Sequence, residues 1–299
     1  MAAALRGEGL SLDFGAARVR IRADVDGLAD AIRCVYGEYP HDERAPFHDV
    51  ALALHRRRGL RRVVGAQIEA VADADVLFEP FPAATHLPLL EWSLNYLLAQ
   101  RLQHRLLLHA GVVALDDRAL VMPALPGSGK STLTAALASS GWRLLSDEFG
   151  IVGLDDGLMH PMPRPIALKE ASIDVVAAFA PHAVIGPRFP GTRKGTVAHV
   201  APDARSVAAR HTPAAPALLV FPHFLAGAAV RVEPMPRARA FAKLSVNSFN
   251  YEVLGPDGFE AVGALVARCT VHRLSYGDVG AAVGALRELL ARAPLAEPA

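Results

Sequence analysis

Ala124-Leu125-Pro126-Gly127-Ser128-Gly129-Lys130-Ser131, followed by Thr132, lies between an apolar run, Ala119-Leu120-Val121-Met122, and a helix-like run over 133–139. Strand, glycine-rich turn with Lys-Ser, then helix is the layout of a phosphate-binding P-loop. Such a turn aims backbone N–H groups inward, and the helix adds the positive end of its dipole. Lys130 is placed to reach the β and γ phosphates of a nucleoside triphosphate, with the Ser131 hydroxyl as a Mg2+ ligand. Ala124 stands where the full pattern has Gly. If that position needs φ > 0 the replacement costs about 1 kcal/mol; otherwise it is nearly free. Pro126 removes one N–H donor from the turn.

Upstream of this stretch, 106–115 reads as a strand joined to a 119–123 strand by a turn at Asp116-Asp117-Arg118. Downstream, Gly141-Trp142-Arg143-Leu144-Leu145-Ser146-Asp147-Glu148 is an apolar strand ending in two acids, with a return strand over 151–154 through Gly150. Apolar residues at 87, 90, 94, 97, 98 and 102 mark a long helix over 87–102, with Trp92 and Tyr96 adding bulk; the pattern reads as core packing or an inter-module bridge. Nearer the N-terminus, polar–apolar alternation over 10–22 predicts a hairpin through Gly15, then an amphipathic helix over 24–36 capped at Asp24. Short β-like runs follow over 50–78, including Val63-Val64. The C-terminal half shows proline-punctuated strands, a long loop near 180–213, a final helix over 279–291 and a frayed tail over 293–299. The fold class that results is α/β, with an N-terminal α+β module at 1–86 and a larger domain at 87–299.

The chain has 299 residues, 52% of them hydrophobic, enough for a sizeable core. Its 31 basic and 30 acidic residues leave a net charge of +1, which gives no overall attraction to nucleic acid or an anionic membrane. The arginine clusters at 55–58 and 61–62 read as solvated faces. Two distant cysteines, Cys34 and Cys269, form no metal or disulfide spacing and suit a reducing compartment. Neither a signal peptide nor an apolar run long enough to span a membrane is evident. A cytoplasmic protein is the expectation.

Asp147 and Glu148 supply what a nucleotide site needs to become an enzyme: one carboxylate to ligand Mg2+, the other to take a hydroxyl proton. An exposed acidic turn after a strand is the alternative. His109, in an otherwise apolar strand and followed by Ala110 and Gly111, reads by itself as a hydrogen-bonded core histidine. Arg193 and Lys194, flanked by Gly191 and Gly195, suit either a closing loop that brings cations to the phosphates or a solvated surface; Arg237 and Arg239 are similar.

His109 with Gly111, then the glycine-rich turn with Lys130, then the acid pair together resemble the HPr kinase/phosphorylase family, and more closely the HPr-kinase-related proteins called HprK-related kinase A. The segments Pro163-Arg164-Pro165-Ile166-Ala167-Leu168-Lys169, Thr192 to His199, and Leu244-Ser245-Val246-Asn247-Ser248-Phe249-Asn250-Tyr251 are similar to that subgroup or its parent. The resemblance covers about residues 105–255. It implies a P-loop kinase core related to phosphoenolpyruvate carboxykinase, with a mixed β-sheet. It also implies His109 as a site residue alongside Lys130, Asp147 and Glu148, with Glu148 replacing the family's second Asp. Glu170 is the nearest counterpart of the family's downstream Mg2+-binding Glu.

On this reading ATP is cradled by Gly127, Ser128, Gly129, Lys130, Ser131 and Thr132, with Arg193 and Lys194 closing over it. Mg2+ is held by Ser131 and the Asp147/Glu148 pair, and the phosphoryl group passes to a Ser or Thr hydroxyl of a protein, such as an HPr-like carrier, or of a peptide. Alternatives are a nucleotide-binding regulatory NTPase or sensor, and a kinase of a precursor peptide or small metabolite. The resemblance also allows a homo-oligomer.

Overall fold

The computed structural model describes residues 1–41, 47–57, 65–125 and 127–294. Arg58, Arg61-Arg62, the Val63-Val64 part of the β-like run, Pro126 and the end of the tail lie outside them.

The chain opens with α1 (Ala2–Arg6), then β1 (Leu10–Asp13) and β2 (Arg18–Ala23), the antiparallel hairpin that alternation predicts. Helix α2 (Leu28–Val35) starts later than its predicted cap. Gly27 takes the N-cap position with φ 78°, and the Asp24 carboxylate instead accepts a hydrogen bond from the Arg56 N–H at 3.1 Å. Strands β3 (Val50–Arg56), β4 (Gln67–Ala72), β5 (Asp75–Val76) and β6 (Phe81–Pro82) complete a six-stranded sheet. Helix α3 (His86–Arg101) lies on it, and Leu87, Leu90, Leu94, Leu97 and Leu98 share one buried core with Leu12, Val19, Leu52 and Ile68. Each such leucine contributes about 2 kcal/mol by leaving water, so this apolar face fixes how the helix lies.

The larger sheet is built from β7 (Leu106–Leu115) and β8 (Arg118–Pro123), followed by α4 (Lys130–Ser139), then β9 (Arg143–Ser146), β10 (Phe149–Val152) and β11 (Met159–His160). A three-stranded sheet begins with β12 (Ile166–Lys169); after α5 (Ala171–Phe179) come its remaining strands β13 (Phe189–Thr192) and β14 (Gly195–Val200). Helix α6 (Ala204–Ala208) leads back to the large sheet through β15 (Ala215–Phe224) and β16 (Arg231–Pro234). Helices α7 (Arg237–Val246), α8 (Tyr251–Leu254) and α9 (Pro256–Arg268), strand β17 (Thr270–Tyr276) and helix α10 (Val279–Arg292) finish the chain. The predicted loop near 180–213 thus contains a hairpin and a short helix.

In the large sheet the order is β11-β10-β7-β8-β15-β17-β16, with β9 also on β7. Strands β8, β15 and β17 run parallel and the other pairings are antiparallel, so the sheet is mixed. Alternation assigns its faces. Leu120, Met122, Leu218 and Val220 bury against α4, α5 and α10, while Ala119, Val121 and Leu219 bury against α7 and α9. The protein is therefore α/β with helices on both faces of this sheet. Among the described residues no helix is long and apolar enough to cross a membrane.

Candidate functional site

The end of β8 runs into the glycine-rich turn. Ala124 is buried and is not among the residues with positive φ, so the missing glycine costs the turn nothing by this route. Gly127 and Gly129 each sit at φ 87°, the left-handed region that excludes a side chain at low cost only for glycine. At Gly129 there is also no room: a Cβ would run into the Tyr276 hydroxyl and the Phe224 Cβ. Two carbonyls of the turn are tied outward, Ser128 O accepting from Phe224 N (3.0 Å) and Gly129 O from the Tyr276 hydroxyl (3.1 Å). The first N–H groups of α4 have no acceptor within the helix. The residues carrying them, with Gly127 and Ser128, line a cavity of about 720 Å3. Ser128 Oγ is buried there without a hydrogen-bond partner.

Lys130 heads α4 but its side chain is buried, 7% exposed, and its ammonium donates to the Asp147 carbonyl and, at 3.2 Å, to Asp147 Oδ1. Asp147 is equally buried. The acid pair owes its position to an interrupted strand. Val112 faces Ser146 and His109 faces Phe149 along β7, so one register continues across the gap and sets Asp147 opposite Gly111. The turn predicted at Gly150 is absent; Gly150 is inside β10, and the interruption falls on the acids themselves. Gly111 is needed at this point, because a Cβ there would run into the Thr134 hydroxyl and approach both Lys130 and Asp147. Glu148 is more open, and its Oε1 lies 3.9 Å from His109 Nε2. The backbone of His109 is clamped by Asn247, which accepts from His109 N and donates its side-chain N–H to His109 O, both at 2.9 Å. Burial, reinforced by the Lys130 charge and opposed by Glu148 and Asp147, lowers the His109 pKa, which favours the neutral ring at pH 7.

Ser131 and Thr132 also line the cavity, as does Lys194. Arg193 does not: Thr192 pairs with Gly195 across a two-residue hairpin tip, and the two cations there sit on adjacent rings. The Arg193 guanidinium lies 5.3 Å from the centroid of the Phe81 ring, while the Lys194 ammonium lies 5.5 Å from that of Trp92. Glu170 is likewise turned away, accepting from Thr196 N at 2.7 Å. Arg237 donates to the Ala267 carbonyl, and neither it nor Arg239 reaches the cavity wall. Among the described residues no three His, Cys, Asp or Glu side chains converge as a metal cage.

Several wall residues carry no role in the sequence reading. Lys169 at the end of β12 and Ser172 in the first turn of α5 border the acids, and burial, with Lys194 nearby, lowers the Lys169 pKa. Helix α3, read from sequence as packing, presents Glu91, Trp92 and Asn95 to the cavity, which Arg164 and His199 also line. Arg164 binds Glu91 Oε2 and Asn95 Oδ1, both at 2.6 Å, and the Tyr36 hydroxyl donates to Glu91 Oε1 at 2.6 Å. The signals were present in Pro163-Arg164-Pro165 and at His199, inside stretches already singled out.

His199 is 1% exposed, and burial pushes its pKa below the ordinary 6.5. Below that value the unfolded chain takes up a proton that the folded chain refuses, so stability rises with pH in this window and falls as pH drops through about 6.5. The melting temperature should therefore decrease between pH 7.5 and 5.5, and the decrease should be smaller in His199→Gln. Equal slopes for the two proteins would remove His199 as the cause.

No protein-family model matches this chain, and no curated protein matches it either.

Proposed function

We propose that the chain is an ATP-dependent phosphotransferase with a P-loop kinase core of the HPr kinase type, passing the γ-phosphoryl group of ATP to an acceptor hydroxyl. One observation carries this reading. The N-terminus of α4, the Lys130 ammonium and the Asp147/Glu148 pair meet on the wall of one cavity, bordered by a turn whose two glycines have left-handed backbones. An anion is favoured at the helix end, and a carboxylate beside it favours catalysis over mere retention of the nucleotide.

The phosphates take the backbone of Gly127 to Thr132, with Lys130 drawn from Asp147 toward them and the orphaned Ser128 hydroxyl given a partner. The hard oxygens of Ser131, Asp147 and Glu148 suit Mg2+, which keeps few protein ligands and completes its shell with phosphate and water. When bound, that ion neutralises charge developing on the transferred group. Asp147, once released by Lys130, or Glu148 accepts the hydroxyl proton, with neutral His109 beside Glu148. Cys34 and Cys269 are both free thiols, which supports a reducing, cytoplasmic setting. The family resemblance points first to a Ser or Thr hydroxyl of a protein or peptide as acceptor; the site chemistry requires only a hydroxyl.

The test is γ-labelled ATP with Mg2+ and the purified protein, with and without cell extract. Label on an acceptor is the expected outcome. Free phosphate alone would reduce the protein to an NTPase, and the absence of nucleotide binding by calorimetry would end the proposal.

A further inference from the structure

The cavity does not stop at the acids. Its lining also takes in Glu91, Trp92 and Asn95 of α3, together with His199 and with Arg164, which is bonded to Glu91 and Asn95. Both oxygens of Glu91 are already engaged, Oε1 by the Tyr36 hydroxyl and Oε2 by the Arg164 guanidinium. The groups left unpaired there are an amide donor, an ammonium and a histidine ring nitrogen. The Asn95 amide oxygen is pinned by Arg164, which leaves its NH2 group without a partner among the described residues. The Lys194 ammonium, at the Trp92 ring, has no ion-pair partner among them either. His199 Nδ1 is buried with no hydrogen bond, a state that native interiors seldom keep without a ligand or water. The rest of this end is apolar, from Trp92, Met162 and Val197.

We propose that this part of the cavity is the acceptor subsite, and that it takes a small hydroxy compound bearing a carboxylate or phosphate, its anionic group held by Asn95 and Lys194 against Trp92. The inference rests on the kinase reading and narrows its acceptor. A concave wall formed by nearly fully buried Glu91, Arg164 and His199 is the surround of a small molecule. The acceptor oxygen forms a bond to the γ-phosphorus, the bond from that phosphorus to the β–γ bridging oxygen breaks with its electron pair leaving on ADP, and the hydroxyl proton passes to the Asp147/Glu148 pair. Donor groups left unpaired by a neutral compound supply the discrimination.

The experiment offers Mg-ATP with glycerol (neutral), D-glycerate and L-serine (carboxylate), and sn-glycerol 3-phosphate (phosphate). At least one charged compound should be phosphorylated with kcat/KM about a hundredfold above glycerol, and the two charged arms tell which anion is read. Asn95→Asp keeps an oxygen for Arg164 but places a negative charge in this part of the cavity. It should raise the acceptor KM about tenfold while calorimetry shows the Mg-ATP Kd moved by less than about twofold. Glycerol as good as the charged compounds, label on proteins only, or an Asn95→Asp effect on Mg-ATP affinity in place of acceptor KM would each overturn the subsite and leave the kinase reading standing. Loss of Mg-ATP binding in the unaltered protein would overturn both.

Discussion

Lys130→Ala should lower phosphoryl transfer about a thousandfold, the loss that follows when a preorganised charge is removed from the transferring group. The side chain has two duties, and the variant should separate them. On the proposed reading its ammonium turns to the phosphates when nucleotide is bound; without nucleotide, it neutralises Asp147, whose carboxylate is only 6% exposed. Removing it leaves that carboxylate unpaired, at a cost of about 3–5 kcal/mol. The free variant should therefore melt earlier than the parent, and Asp147→Asn added to it should recover much of the lost stability without restoring transfer. Normal transfer by Lys130→Ala, measured with γ-labelled ATP, would remove the proposed chemistry altogether.

Arg164→Met should have a comparably large effect on stability. Its guanidinium is 7% exposed and is shared between Glu91 and Asn95, and Glu91 in turn holds Tyr36 of α2. Taking away one partner of such a buried pair costs about 3–5 kcal/mol, because the carboxylate that remains has no water to turn to. For a chain of this size that corresponds to a fall in Tm of about 5–8 °C. Substituting Glu91→Gln as well removes the stranded charge, so the double variant should melt above Arg164→Met. If it melts lower, the pair's charge is not what the site depends on.

What the sequence made legible is what local chemistry determines. The run from β7 through the glycine-rich turn to α4 and the acids could be read because apolar alternation, glycine placement and helix period all act over a few residues. The consequence of Ala124 could not, since its backbone angle depends on how β8 enters the turn. The β13–β14 hairpin was hidden by Pro187, Pro190 and Gly191. Pro190 is tolerated because β13 is an edge strand, a fact that only the assembled sheet supplies. Arg193 and Lys194 look equivalent in sequence, yet neighbouring positions on a hairpin tip send them to different rings. Trp92 and Asn95 lie beyond any pattern argument: a helix that packs by its leucines reveals nothing of what its remaining side chains meet across space.

That last helix has a wider consequence. Because α3 is seated by its leucines in the core of the first sheet and reaches Arg164 with Glu91 and Asn95, the two halves cannot be exchanged independently. Cutting the chain before α3 and joining it to a foreign leader would return five leucines to water, a penalty of about 10 kcal/mol at about 2 kcal/mol apiece, and would dissolve one side of the pocket with them. On the proposed acceptor subsite, selectivity would depend on the front half's folding, and anything that loosens the first sheet should blur discrimination before it slows turnover.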